Sequence, residues 1–318
     1  MLQRSQHNPI ITRADVSQSL TSGPDVTSVF NPGAIKHDGC YYLMLRVQHR
    51  SRETSLVIAD SDDGIHFRIQ PKPVILHGLD QVTERIFHVY DPRLTRIGDM
   101  IYVMFAMDTT GGCRLGLAAS TDLMEFQFKG MVSEEGNRNG VLFSEKSGGR
   151  YLRCDRPNQT EISAGVASGS AIYLSESSDL LTWRSIGPIA EGHPHYWDEL
   201  IGAGPPPIKT KRGWLLVYHG IATHFHPIYQ AGVMLLDLAN PLQVIARGSC
   251  NILEPREMFE LVGQVPNVVF PSGMIVDDLD DDGFAHPSSR ALIYYGAADT
   301  TVCLAETTVE KLTDACFV

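Results

Sequence analysis

The sequence lacks the features that mark several large protein classes. No apolar run approaches the roughly 20 residues that a membrane-spanning helix needs. The first residues, MLQRSQHNPIITRADV, hold no apolar core of a secretory leader. Basic charge is scarce: 26 Lys and Arg stand against 37 Asp and Glu, a formal net charge of -11. A nucleic-acid partner requires a cationic face, so none is expected, whereas a small anion held by a few arginines is compatible with this balance. The six cysteines (Cys40, Cys113, Cys154, Cys250, Cys303 and Cys316) form no CxxC pair, and no glycine-rich nucleotide cradle occurs. Scattered thiols in a chain of 318 residues read as reduced side chains packed in strands, which makes the cytoplasm the expected compartment. Long stretches of capped helical periodicity are also missing.

A repeat is present instead. An apolar strand, a polar turn and an aromatic or aliphatic residue recur as LVIADSDDGIHF (56–67), LGLAASTDLMEF (115–126) and IYLSESSDLLTW (172–183). Looser copies are VMLLDLANPLQV (233–244) and VCLAETTVEKL (302–312). Each copy follows an aromatic-rich strand: GCYYLMLRV, GDMIYVMFAM, GGRYLRCDR, RGWLLVYHG and SRALIYYGA. A third apolar stretch precedes each of these: FNPGAIKHD, YDPRLTRIG, NGVLFSEKS, GAGPPPIKT and NVVFPSGMIV. Short runs rich in Val, Ile, Tyr and Phe, bounded by Gly, Asp and Asn, are strands. A unit of at least three strands repeated five times fits the blades of a propeller. The expected fold is all-β, a five-bladed β-propeller with a central funnel. A β-sandwich or a two-domain all-β protein accounts less well for five copies in register. No Pro/Gly/Ser-rich linker interrupts the chain, so residues 1–318 are expected to form one catalytic domain.

The innermost strands of a propeller line its funnel, so polar residues there converge from distant parts of the sequence. First-strand candidates are Asn31, Asp91 and Arg138, and second-strand candidates are Arg46, Arg156, His219 and Asp299. An acid set among three arginines, a histidine and an amide suits an anionic ligand together with acid catalysis. Each residue also has a bland reading. Asp91 before Pro92 is a common turn or strand-start arrangement. Arg138 in Asn-Arg-Asn reads as a solvated loop arginine, Arg156 as the ion-pair partner of a nearby acid, and His219 as a satisfied core histidine.

The segments VFNPGAI, MLRV, SDDGIHF, VYDPRLT, NRNGVLFSEK, DRP, IGAGPPPI, GWLLVYHG, LLDLANP and YYGAADT resemble those of glycoside hydrolase family 130, the β-mannoside phosphorylases and related β-mannosidases. They run along nearly the whole chain in the family's order. The resemblance implies a five-bladed propeller, with Asp91 as proton donor. It implies that Arg138, Arg156 and His219 hold phosphate, with Tyr229 beside them, and that Asn31, Arg46, Tyr90 and Asp299 contact sugar. It implies a β-linked manno-oligosaccharide and inorganic phosphate as co-substrates, with no other cofactor and no metal. The N-terminal RSQHNPIITRADV is similar to the β-1,2-mannoside branch, and Trp197-Asp198-Glu199-Leu200 lacks a lysine that many β-1,4 members carry. The expected reaction is therefore inverting phosphorolysis of β-mannosides to α-mannose 1-phosphate, with β-1,2 linkage favoured.

The chemistry agrees with that residue set. Glycosidic cleavage needs a proton on the leaving oxygen and a nucleophile at the anomeric carbon. Water needs a second carboxylate to activate it, but phosphate is already an anion and needs cationic donors to place it. Two alternatives stand beside this reading. One is a β-mannoside hydrolase using Glu199 or Glu254 as base, and the other is a sugar-binding propeller without catalysis. A homo-oligomer is compatible with the sequence. His193-Pro194-His195 and His224-Phe225-His226 read as loop histidines, the second pair near the active-site mouth, because no third metal ligand falls at a fitting spacing. Asp278-x-Asp280-x-Asp282-Gly283 starts like a calcium loop but has Ser289 at the twelfth position, so it reads as an acidic hairpin turn. The sequon Asn158-Gln159-Thr160 carries no weight without secretion.

Overall fold

The apolar runs fold as strands, and alternation along them decides which neighbour each side chain meets. In Gly213–Ala222, Trp214, Leu216 and Tyr218 pack toward the preceding sheet, while Leu215 and Val217 pack toward the following one. This period of two is what a strand buried on both faces requires. The computed structural model describes residues 2–20, 25–158, 169–223 and 226–318. Its strands form five antiparallel-dominated sheets, one per repeat, arranged as a five-bladed β-propeller.

The first blade comprises Val26–His37, Cys40–His49, Thr54–Ser61 and Arg68–Ile69. The second comprises Ile86–Ile97, Met100–Thr109, Gly112–Ser120 and Glu125–Met131, with Ile75–His77 added in parallel at its outer edge. The third comprises Asn137–Leu142, Tyr151–Pro157, Ala171–Ser177 and Arg184–Glu191. In the fourth, Leu200–Ala203 and Ile208–Thr210 both pair with Gly213–Ala222, followed by Ile228–Leu236 and Val244–Arg247. The fifth comprises Val269–Val276, Arg290–Ala297 and Thr301–Thr308, and the N-terminal Gln3–Arg4 completes it, joining the two ends of the chain. Separate hydrophobic clusters fill the space between each neighbouring pair of blades. Helices are short: Arg13–Ser19, Met258–Leu261 and Val309–Ala315. No helix among the described residues is long and apolar enough to cross a membrane.

The sequence repeats are turns with one hydrogen-bond pattern. Ser61, Ser120 and Ser177 each accept from the backbone N–H groups two and three residues on. Asp63, Asp122 and Asp179 then accept from the next two N–H groups. These Asx and Ser turns satisfy backbone donors that would otherwise be orphaned between strands.

The inner strands carry the feature that builds the site. Register breaks between Phe30 and Gly33, between Tyr90 and Arg93, and between Arg138 and Val141. At each break one residue is left-handed: Asn31 at φ 47°, Asp91 at 53° and Asn139 at 53°. Asn and Asp tolerate that conformation better than other side chains, and such a bulge re-aims the residue it carries. The blades meet closely here: a Cβ on Gly33 would lie 2.8 Å from the Pro92 carbonyl oxygen. In the fourth blade the expected continuous inner strand is split by Gly204-Pro205-Pro206-Pro207. Prolines have no N–H for a ladder, and this edge position tolerates the interruption.

Candidate active site

A cavity of about 500 Å³ opens where the bulges converge. Eight of the nine predicted residues line it: Asn31, Arg46, Tyr90, Asp91, Arg138, Arg156, Tyr229 and Asp299. The ninth, His219, is fully buried behind the wall, bonded to Arg156 and packed on Tyr229 and Phe270, all of which line the cavity.

Asp91 sits on the second blade's bulge. Its Oδ1 accepts from Arg46 Nη1 at 2.9 Å and from Asn31 Nδ2 at 3.0 Å. Arg46 is itself fixed between the rings of Phe30 (4.3 Å) and Tyr90 (4.8 Å). Burial alone would push the Asp91 carboxyl up, but the charges of Arg46 and Arg93, with the two hydrogen bonds, outweigh it and hold the group below its ordinary range. Arg93 lies beneath, fully buried, donating to the carbonyls of Gly204 and Pro92.

Asp299, in the turn between the last two strands of the fifth blade, meets the opposite environment. It accepts no hydrogen bond from any described residue, because Arg46 and Asn31 are committed to Asp91. Burial raises its carboxyl, Arg46 draws it down less, and the Asp91 charge adds to the rise, giving about 6. Two carboxyls in one cavity are thus driven apart, the pattern that separates a charged from a neutral acid.

The other end of the cavity is cationic. Arg138 Nε donates to Cys113 Sγ at 3.3 Å, and its Nη2 lies 3.8 Å from Asp108. Tyr90 donates to the same Asp108 oxygen at 2.9 Å. Arg156 Nη1 donates to His219 Nε2 at 3.1 Å, and Arg156 has no carboxylate partner among the described residues. Burial pulls this guanidinium down to about 10, so it stays cationic at neutral pH. The expected alternative, an ion pair with a nearby acid, does not form among the described residues: Asp155 is taken by Arg153 at 2.7 Å. Nor is Arg138 a solvated loop arginine, since it sits in the cavity wall.

Known proteins resemble this chain in sequence and fold over nearly its whole length. The sequence profile Glyco_hydro_130, described as beta-1,4-mannooligosaccharide phosphorylase, matches residues 2–317. The chain belongs to glycoside hydrolase family 130. It is 34% identical to a 1,2-beta-oligomannan phosphorylase of Thermoanaerobacter sp. over 87% of this chain and 89% of that protein. It is 32% identical to a beta-1,4-mannooligosaccharide phosphorylase of Ruminococcus albus over 99% and 90% of the two chains. The structure of beta-1,2-mannobiose phosphorylase from Listeria innocua, in complex with beta-1,2-mannobiose, superposes with a TM-score of 0.83 at 26% identity over 99% of each chain.

Several residues of this family 130 site escaped the sequence reading. Asn139 lines the cavity from the third bulge, in the same place as Asn31 and Asp91, and its buried Oδ1 has no partner among the described residues. The aligned repeats carried that signal, since Asn139 falls in the column of Asn31 and Asp91. Asp108, Gln48, Arg52, Thr54 and His88 also line the cavity, and nothing in the repeat singles them out. The residues considered as an alternative base are elsewhere: Glu199 accepts from Thr223, Glu254 pairs with Arg256, and neither lines the cavity. His193 pairs with buried Asp198 at 2.9 Å. The acidic turn is closed by Asp280, which accepts from the N–H groups of Asp282 and Phe284 and pairs with Lys211 at 3.0 Å. His224, Phe225, Gln159 and Thr160 lie outside the described residues.

Proposed function

We propose that this protein is a glycosyltransferase-type phosphorylase that cleaves β-mannosides with inorganic phosphate, inverting the anomeric centre to give α-mannose 1-phosphate. The observation that carries this reading is Arg156, a buried cation facing the cavity that pairs with no carboxylate among the described residues. An uncompensated buried charge is costly, and a phosphate dianion would compensate it. Arg138, Arg156 and His219 hold that nucleophile, with Tyr229 beside them. Asp91 protonates the leaving oxygen, and Asn31, Arg46, Tyr90 and Asp299 hold the mannosyl unit. Asp91 is ionised in the free site, so it takes up its proton once sugar hydroxyls draw Arg46 and Asn31 away from it. The overall balance needs no further reagent: a mannoside and HPO4(2−) give mannose 1-phosphate dianion and an alcohol, the phosphate proton ending on the leaving sugar.

β-1,2-linked mannosides are the favoured substrates, on the N-terminal resemblance and the missing lysine before the fourth blade. The test is release of mannose 1-phosphate from β-1,2- and β-1,4-mannobiose and mannosyl-N-acetylglucosamine, with and without phosphate. Strict phosphate dependence, with β-1,2-mannobiose the best substrate, is expected. Free mannose released equally without phosphate would make the protein a hydrolase. Asp91→Asn is expected to lower turnover ~10²–10⁴-fold while the protein stays folded. Unchanged turnover in that variant would remove Asp91 from the chemistry.

A further inference from the structure

Resting on the phosphorolytic reading, we infer that Asp108 is a specificity-determining residue that accepts the hydrogen of the bound phosphate, so that the site takes hydrogen-bearing oxyanions such as phosphate and rejects sulfate.

The observation behind this is a carboxylate in a place that otherwise suits an anion. Asp108 lies near the end of Met100–Thr109 in the second blade and lines the cavity. Its Oδ1 is 3.8 Å from Arg138 Nη2. Arg156 stands opposite Arg138 in the ladder of the third blade, so the acid borders the place where a dianion is to be held. By charge alone a carboxylate there opposes the nucleophile. It is also a poor counter-ion, since 3.8 Å is beyond hydrogen-bond reach and Arg138 Nε donates to Cys113 Sγ instead.

Asp108 is only half used by its neighbours. Its Oδ1 accepts from the Tyr90 hydroxyl at 2.9 Å. Its Oδ2 accepts from no described residue, and the side chain is 35% exposed. The Cys113 thiol touches both Tyr90 and Arg138, yet it offers them no charge and can give its hydrogen to the Asn137 carbonyl. One carboxylate oxygen is thus left without a donor in a wall built largely from donors.

That vacancy matches one ligand chemistry. An ionised carboxylate can only accept. Near neutral pH inorganic phosphate carries at least one P–OH, arsenate carries the equivalent As–OH, and sulfate carries no hydrogen. Phosphate can turn its hydroxyl to Asp108 and its bare oxygens to Arg138 and Arg156. Sulfate must set an oxygen against the carboxylate charge. Phosphate and sulfate share size and shape, so cations alone cannot tell them apart. A site that pairs a ligand's hydroxyl rejects the isostere lacking it, because the acceptor is left unpaired and like charges meet.

The test follows mannoside cleavage with phosphate or arsenate as nucleophile and sulfate as competitor. The wild-type sulfate inhibition constant is expected to exceed the phosphate KM at least ~10-fold, and arsenate should support cleavage at a KM within about fivefold of that for phosphate. Asp108→Asn puts an amide donor where the acceptor was. It is expected to tighten sulfate relative to phosphate by ~10–100-fold, the range of one hydrogen bond to a charged group. Asp108→Ser also removes the charge and should shift the ratio in the same direction, which keeps the test intact should the asparagine chain fail to fold. Tyr90→Phe removes the hydroxyl that Asp108 holds and should leave the rejection of sulfate in place. A wild type that binds sulfate as tightly as phosphate, or an unchanged ratio in the Asp108 variants, would overturn the inference. So would a Tyr90→Phe chain that loses discrimination as fully as Asp108→Asn, since Asp108 would then act only by holding Tyr90. Cleavage that proceeds equally without phosphate or arsenate would sink the phosphorolytic reading itself, a result seen in the wild type before any variant is made.

Discussion

Two buried arginines three residues apart on one strand have opposite surroundings. Arg153 and Arg156 both belong to Tyr151–Pro157 and both are almost completely shielded from solvent. Arg153 has its charge cancelled. It pairs with Asp155 at 2.7 Å, donates to the Val132 carbonyl at 2.7 Å, and stacks on Trp183 at 4.4 Å, while Ser175 donates to the same carboxylate at 3.0 Å. Arg156 has a histidine in place of a carboxylate, and a cavity in front of it. Strand alternation sends the two side chains to opposite faces, one into the wall between blades and one toward the funnel. Burial does not tell a structural arginine from a functional one. Among the described residues, what separates these two is that only Arg153 has a carboxylate partner.

The sharpest way to break this comparison is to remove each charge in turn. Arg153→Met leaves Asp155 buried without a partner and is expected to cost about 3–5 kcal/mol of stability, read from chemical denaturation. Replacing Asp155 with leucine in the same chain should restore most of it, since a buried pair exchanged for apolar groups is often neutral. Arg156→Met strands no acid among the described residues. It is expected to change stability by about 1 kcal/mol or less, in either direction, and to raise the phosphate KM by at least ~100-fold. Similar stability losses in both variants would show that Arg156 is as structural as Arg153.

How much of this was legible depended on periodicity. The Ser-x-Asp turns stood out because backbone donors between strands must be satisfied locally, and the same solution recurs three times in nearly the same letters. Asn31 and Asp91 stood out because each precedes a proline at the same place in its repeat. Asn139 obeys the same bulge geometry but precedes glycine, and the arginine beside it drew the assignment instead. Asp108, His88, Gln48, Arg52 and Thr54 reach the cavity from strand ends and hairpins. Their approach depends on how neighbouring blades tilt together, which no single repeat encodes. His219 was found as a residue, but its place beside Arg156 of the third blade and Phe270 of the fifth follows from contacts made across blades.

A second contrast, between Asp91 and Asp299, gives a pH signature. Asp299 faces Arg46, Asp91 and Tyr229, and its carboxyl is raised to about 6 in the folded protein. A raised acid binds its proton more tightly in the folded chain than in the unfolded one. Its contribution is therefore fully present below the unfolded value near 4 and is lost as pH rises through about 6. Asp299→Asn removes that loss. The variant should gain Tm relative to wild type at pH 8 and gain little or nothing at pH 4. Asp91 is held low, so the part of stability tied to it behaves in the opposite sense, present above the ordinary carboxylate range and lost on acidification. An Asp299→Asn advantage independent of pH would mean that this carboxyl is ionised throughout, and the two acids would no longer be distinct.

The smallest effect is expected farthest from the cavity. Ser120 is buried in the second blade's turn, accepts from the N–H groups of Asp122 and Leu123 at 3.2 and 3.0 Å, and donates to Asp122 at 3.0 Å. Ser120→Ala leaves the Leu123 amide without its acceptor and should cost about 1–2 kcal/mol, as loss of a helix cap does. Its denaturation midpoint should fall with the slope unchanged, because the folded blade stays intact. Neither the phosphate nor the mannoside KM should move, since the turn lies outside the cavity wall and the inner strands carry the bulges. A shift in the phosphate KM would mean that the turn's hydrogen bonds are transmitted across the blade to Arg138. The inner strands would then be held by their outer neighbours rather than by their own close contacts around the axis.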